Sequence, residues 1–320
     1  MSHTFQGGTA DQPVTLTLRE GDWRVSTTRI VPLERLSVTA GVAEPAIGPA
    51  RIPEPPGPGP TNFRAVLLAD SAGQADAGLA THLIRLKPDL VVHLGGAVAA
   101  GEGEAGWTTV REALAEPLRA AHIPLLWGLS PADREAGAEV RRPLKGAGDD
   151  QLELADGSSF PERWALAFRG TYLVFISGSE QSNGALDWLR ARLAEAQIYE
   201  SRLVFSYLPL HPFTARALPV LAPKFKVYEL LLRARASALV SAGHRAYFKG
   251  RYGALPVVSV GAALGAGETL AGASAPQGPS VVVMDVEEGV PTRIFALTGA
   301  TLGEPFDEHE LPETVEVYTR

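Results

Sequence analysis

The chain has 320 residues, 45% of them apolar and 20% charged, which is enough to bury a sizeable core and excludes disorder along its whole length. With 29 Lys and Arg against 36 Asp and Glu the net charge is −7, so a general polyanion-binding face is excluded and nucleic acid is not expected as a partner. There is no cysteine, which removes disulfides, thiolate metal sites and cysteine nucleophiles together.

The opening stretch, MSHTFQGGTADQPVTL, carries neither a basic patch nor an apolar run of signal-peptide length. That points to a cytoplasmic protein, with an exported form that has lost its leader as the alternative. No stretch reaches the ~20 apolar residues that a membrane-crossing helix needs, so no transmembrane segment is expected. The preference for Arg over Lys and the abundance of Ala, Gly and Pro suggest a GC-rich bacterial source.

Residues 1–44 read as a small β-rich unit: 14–42 alternate apolar and polar positions with many β-branched residues, giving two to four short strands and a turn at Glu20-Gly21-Asp22. Residues 45–61, centred on PAIGPARIPEPPGPGP, form a Pro/Gly-rich linker or surface-hugging crossover, since proline fixes φ and removes backbone donors. From 62 to 300 apolar runs alternate with helical spacing. Strands are expected at 64–69, 89–94 and 123–127, with helices at 74–86 and 108–121 between them. A hairpin follows at 164–168 and 171–177 across Arg169-Gly170, then a helix at 186–196, a strand at 203–207, a helix at 225–235, and strands at 238–241, 255–260, 280–286 and 292–297. Two stacked sheets with helices outside are the simplest packing for this order, a four-layer α/β/β/α sandwich of the α/β class. Residues 301–320 read as an acidic tail with a terminal strand at 314–318.

Five strand-end stretches, LLADSAG, HLGGAV, LWGLSPAD, FSYLPLHP and SAGHRAYF, stand in the order in which the calcineurin-like metallophosphoesterases, including the purple acid phosphatase type, place D-x-H, G-D-x-x, G-N-H-D, a lone histidine before a proline, and G-H-x-H. KPDLVVHLGG, EPLRAAHIPLLWG and ALDWLRARLAEA resemble landmarks of the same family, so the resemblance runs from about 62 to 297. It implies the four-layer sandwich and a two-metal site at converging strand ends.

Two-metal phosphoester hydrolysis holds cations ~3.5–4 Å apart on several oxygen and nitrogen ligands. By the resemblance, Asp70 is the bridging carboxylate and His244 a second remnant ligand. Ala72, Gly96, Leu129, Ser130 and Ala246 stand where the family has ligands or catalytic side chains, and Tyr207 or Ser206 stands where it has a histidine. Alanine, glycine and leucine offer no lone pairs to a cation, so the resemblance implies a fold that has lost its chemistry: a pseudoenzyme with a binding or structural role and no expected cofactor. The alternative is an atypical phosphoesterase with one divalent ion (Mn, Fe, Zn or Mg) on Asp70, His244 and His211. An unidentified protein or a small anionic ligand near Arg245 is the expected partner.

Plainer readings stand beside these. Asp70 can end a strand and cap the next turn, and His244 can donate to a backbone carbonyl or pair with Asp70, the pairing being favoured. His93 reads as a core histidine and His122 as a helix-end residue. A Ser-His-Asp hydrolase built from Ser130 or Ser206 with His244 and Asp70 lacks a nucleophile elbow. The glycine-rich run 261–272 lacks the lysine of a phosphate loop and reads as a flexible loop.

Overall fold

The structure is a computed structural model that describes residues 52–72, 77–136, 152–178 and 183–311 together with two short strands upstream. The chain divides into two units, 1–51 and 52–320, so the division falls inside the proline-rich run. In the first, β1 (Val14–Leu16) and β2 (Leu36–Val38) pair in parallel, Val14 opposite Leu36. The turn expected at Glu20-Gly21-Asp22 and the terminal strand at 314–318 lie outside the described residues.

The second unit runs through β3 (Phe63–Leu68), α1 (Ala77–Arg85), β4 (Leu90–His93), α2 (Gly103–Val110), a π turn (Arg111–Ala115), α3 (Glu116–Ala120), β5 (Leu125–Trp127) and α4 (Pro131–Glu135). Then come β6 (Arg163–Phe168), β7 (Thr171–Ile176), α5 (Asn183–Glu195), β8 (Ser201–Ser206), α6 (Lys224–Arg233), β9 (Ala238–Ser241), β10 (Phe248–Tyr252), β11 (Leu255–Ser259), β12 (Ser280–Glu287), β13 (Val290–Thr298) and β14 (Glu304–Pro305). Two six-stranded mixed sheets result, ordered β14-β13-β12-β3-β4-β5 and β10-β11-β9-β8-β7-β6. β3, β4 and β5 are mutually parallel, as are β7, β8, β9 and β11.

Side-chain alternation decides the layers. Phe63, Ala65 and Leu67 of β3 meet Leu166, Leu173, Phe175 and Phe205 of the other sheet in the central core. Val66 and Leu68 point the opposite way, onto Leu79 and Leu83 of α1 and Leu118 of α3. Across the second sheet, Tyr172, Val174 and Leu239 pack on Leu189 and Leu193 of α5 and Leu231 of α6. This is the four-layer α/β/β/α arrangement expected from the alternation. Trp164 fills the middle of the central core, stacked on Phe175 with ring centroids 5.6 Å apart, and its Nε1 donates to Trp127 O (2.6 Å), tying one sheet to the other.

Some elements correct the sequence reading. The helix expected at 108–121 starts at Gly103 and contains the π turn, while α4, β10 and β14 were not anticipated. The first part of the expected acidic tail belongs to the body: β14 pairs with β13, and Glu308 accepts from Tyr247 Oη and pairs with Lys249 of β10. The glycine-rich run is pinned by Ala263 N donating to Ala69 O, Ser280 N to Ala262 O and Glu268 N to Arg245 O. Gly261 and Gly267 allow close approach to Ser280 and to Arg245 O, while Gly265 and Gly272 take positive φ.

Arg64 and Asp285 are both buried, and Arg64 donates to the carboxylate through Nε (2.7 Å) and Nη2 (3.0 Å). The other guanidinium donors reach Leu86 O and Pro53 O, and Arg293 adds a second cation to Asp285 while donating to Glu54 O. The later half of the proline-rich run is thus fastened to the body by two arginines. We expect Asp285→Ala to cost about 3–5 kcal/mol in urea unfolding, because it leaves Arg64 buried without its counter-charge. A loss under about 1 kcal/mol would contradict this account.

Candidate functional site

The ends of β3, β4 and β5 on one sheet and of β8 and β9 on the other meet in one place. Asp70 N donates to Gly95 O (2.9 Å), Gly128 N to His93 O (2.6 Å) and Ala242 N to Tyr207 O (3.1 Å). Tyr207 Oη donates to Asp70 Oδ1 (2.9 Å), so a phenol from the second sheet closes on the carboxylate of the first. Asp70 itself sits at φ +51°, where a short polar side chain is tolerated.

Gly96 has φ +74°, and a Cβ built there would lie 2.3 Å from Asp70 Oδ1 and 2.9 Å from its Cα. No side chain fits at 96 beside Asp70. A Cβ at Gly95 would come within 2.8 Å of the Tyr207 ring and 2.7 Å of Ser130 N. The loops touch backbone to backbone.

Asp70 is buried, and Oδ2 has no hydrogen-bond partner among the described residues. Burial pushes its carboxyl up to about 6, against the pull of Arg245 and Tyr207, while Asp133 pushes the same way as burial. Burial and the Asp70 charge in turn hold the Tyr207 phenol well above its ordinary range. The phenol is therefore a donor at every working pH.

The favoured Asp70–His244 pair does not form. His244 is fully buried, its Nε2 lies 3.0 Å from Pro219 O, and its ring packs on Phe213 at 4.8 Å. Facing a carbonyl, Nε2 carries the proton. Nδ1 keeps a lone pair with no partner among the described residues, and burial lowers the ring's pKa. His211 packs on Tyr252 at 5.5 Å. Asp70 Oδ2, Ser206 Oγ and His244 Nδ1 are buried here without a hydrogen-bond partner among the described residues, still short of the four to six donors that a divalent cation takes. Among the described residues no three His, Asp or Glu side chains converge as a metal-binding group. The residues present do not fit a two-metal centre.

Other positions from the sequence have structural surroundings. Leu129 lies in the outer core, Ala246 packs with Phe213, Phe248 and Leu270, and Ala72 N donates to Gly96 O. Ser130 caps α4, its Oγ accepting from Asp133 N (3.1 Å). Ser206 is fully buried at the end of β8, and Arg245 donates to Ala266 O. With His244 on a carbonyl and Asp70 on a phenol, no Ser-His-Asp relay exists among these residues.

His93 supplies a sharper test of hydrolase chemistry, because its Nε2 lies 2.9 Å from Ser71 Oγ. Gly95 N–H can only donate, and it does so to His93 Nδ1 (3.2 Å). The proton therefore sits on Nε2 and is donated to Ser71, the reverse of what a nucleophile and its general base require. Burial holds this ring down to about 3, so it stays neutral.

The residue that sequence reading missed is Asp133. It is fully buried, and its carboxylate accepts from Gly96 N (2.7 Å), Ala97 N (2.9 Å), Val98 N (2.9 Å) and Ser130 N (2.8 Å). Burial raises its pKa above the ordinary carboxylate range, and these N–H groups and the Ser130 hydroxyl pull it only part of the way back. The sequence signal was the S-P-A-D stretch, a serine N-cap, a proline at N1 and an acidic N3 residue forming a capping box.

Two mixed sheets between helical layers, with loops converging at the strand ends, define the fold of the calcineurin-like metallophosphoesterases. Among solved structures, the chain is similar to a dimetal phosphatase from Danio rerio (TM-score 0.52, 13% identity, covering 76% of this chain and 98% of that one). It is also similar to GAP50, the anchor in the inner membrane complex of Plasmodium (TM-score 0.52, 12% identity, 75% and 85%). At these identities the likeness concerns the fold. No protein-family model and no curated protein matches the sequence.

Asp70 makes a signed prediction. Because its folded-state pKa of about 6 exceeds the reference 3.8, the native state holds the proton more tightly and loses stability as pH rises between those values. Asp70→Asn removes that penalty, so its stability relative to wild type should rise by about 2.4 kcal/mol from pH 4 to pH 7. His93 acts oppositely in the parent protein, its neutral buried ring losing stability as pH falls from 6.5 towards 3, and it cancels in the comparison. A flat difference in urea melts across this range would refute the assignment.

Proposed function

We propose that this is a metallophosphoesterase-fold protein that does not carry out two-metal hydrolysis and serves a binding or structural role, a degenerate relative of the phosphatases whose fold it shares. The observation that carries the reading is the contact between Gly96 and Asp70. With 2.3 Å from a Cβ at 96 to Asp70 Oδ1, the second carboxylate of a dinuclear centre has no place. Tyr207 supports it, because a phenol already donates to the oxygen that would bridge two cations. The replaced positions Leu129, Ser130 and Ala246 agree, each being absorbed into packing or capping, and Ala72 offers only its backbone N–H, to Gly96 O.

The two fold neighbours support both kinds of role on this scaffold, one being described as a dimetal phosphatase and the other as an anchor. The role of this chain therefore rests on its site rather than its fold. No helix among the described residues is long and apolar enough to cross a membrane, so a membrane-proximal role would need a partner or another segment.

The test is metal content by mass spectrometry after incubation with Mn, Fe, Zn or Mg, alongside turnover of p-nitrophenyl phosphate and its bis ester. Hydrolysis should stay at the uncatalysed background, with less than about 0.1 equivalent of any metal retained through desalting. Chelator-sensitive turnover that disappears in Asp70→Ala would overturn the proposal.

A further inference from the structure

We propose that the loop after β4 is a backbone anion-binding nest whose resident ligand is the chain's own Asp133 carboxylate, a seat that a small free carboxylate takes when that side chain is removed. Gly96 at φ +74°, followed by Ala97 and Val98, turns three consecutive N–H groups towards one point, the geometry by which a loop binds an anion. Ser130 N–H arrives from the other side, after β5. Oδ2 accepts from Gly96 and Ser130, and Oδ1 from Ala97 and Val98.

The chemistry of the partners fixes the ligand class. All four are donors, so a protonated carboxyl would present an O–H with no acceptor; the seat is built for an anion. Among the described residues no Lys or Arg forms an ion pair with Asp133, so amide dipoles and the Ser130 cap rather than a cation oppose the effect of burial on its charge. The seat has the size of one carboxylate group, and its contents join the loops after β4 and β5 to α4. The seat adjoins the Asp70 crevice through Gly96 and Ser130, but its four N–H donors are occupied by Asp133 and not by Asp70.

The experiment is chemical rescue. Asp133→Ala empties the seat while keeping Ser130 as the helix cap, and its Tm should fall by about 5–10 °C. Formate at about 100 mM should restore at least half of that loss in a saturable way, whereas chloride at equal ionic strength should not. Formate should also shift the amide proton resonances of Gly96, Ala97 and Val98 in the variant and leave them unchanged in the parent protein. Ser130→Ala retains the carboxylate and should show no formate response. If Asp133→Ala does not fold, Asp133→Asn is read instead: it keeps the volume with one acceptor oxygen fewer, and exchange of the three loop amides should quicken at least tenfold. A variant as stable as the parent, rescue by chloride equal to that by formate, or unchanged amide exchange in Asp133→Asn would each overturn the proposal.

Discussion

The spacing between Asp70 and the backbone of Gly96 governs this end of the molecule. Two metal ions ~3.5–4 Å apart need the strand-end loops to stand back and send side chains inward. Here the loops close on each other, with a Cβ at 96 falling 2.3 Å from Asp70 Oδ1 and one at 95 falling 2.8 Å from the Tyr207 ring. Only glycine tolerates both the positive φ and the contact at 96. Tyr207 follows from the same closure: its ring fills what space remains, and its hydroxyl supplies the buried Asp70 with a donor.

Charge at the site obeys the same constraint. Asp133 is surrounded by four N–H donors, whereas Asp70 has the Tyr207 hydroxyl on Oδ1, the Gly243 amide and the charge of Arg245 to pull its pKa down. Burial raises the pKa of both carboxyls, that of Asp70 to about 6, and the four N–H donors around Asp133 make it the joint between two loops and α4. The buried Arg64–Asp285 pair, reinforced by Arg293, follows a third pattern, in which cations rather than amides do the balancing. Buried carboxylates in this fold therefore cannot be read alike from residue type.

Much of the fold is legible in the sequence because its signals are local. FRAVLL, LVVH and ALVS are short apolar runs between helical stretches, and β3, β4 and β9 lie where those runs predict. β10 escapes notice because Lys249, Gly250 and Arg251 occupy an edge strand partly open to solvent, leaving neither alternation nor an apolar run. At the site, the order of the loops tells which strand ends meet, but not which atoms face each other. His244 is adjacent to Arg245, whose charge reaches Asp70, yet its ring turns to Pro219 O. Asp133 is readable as part of a capping box, while its reach to amides 35–37 residues upstream is a tertiary fact that spacing does not encode.

Core and strand-end site make different demands on this fold. Most of the central core around Trp164 and of the two outer cores consists of strand and helix residues whose packing needs no donor at the strand ends, although Ala97, Val98 and Leu129 belong to an outer core and Tyr207 packs on the central one. The same does not hold for electrostatics, since a set of carboxylates gathered for cations becomes several unpaired buried charges once the cations are gone, each costing several kcal/mol. Ala72, Gly96, Leu129 and Ala246 carry no charge, and the one carboxylate left among the resemblance positions, Asp70, faces a phenol and a guanidinium. That pattern is self-consistent without a metal, and a divalent cation using Asp70 Oδ1 would have to displace the Tyr207 hydroxyl.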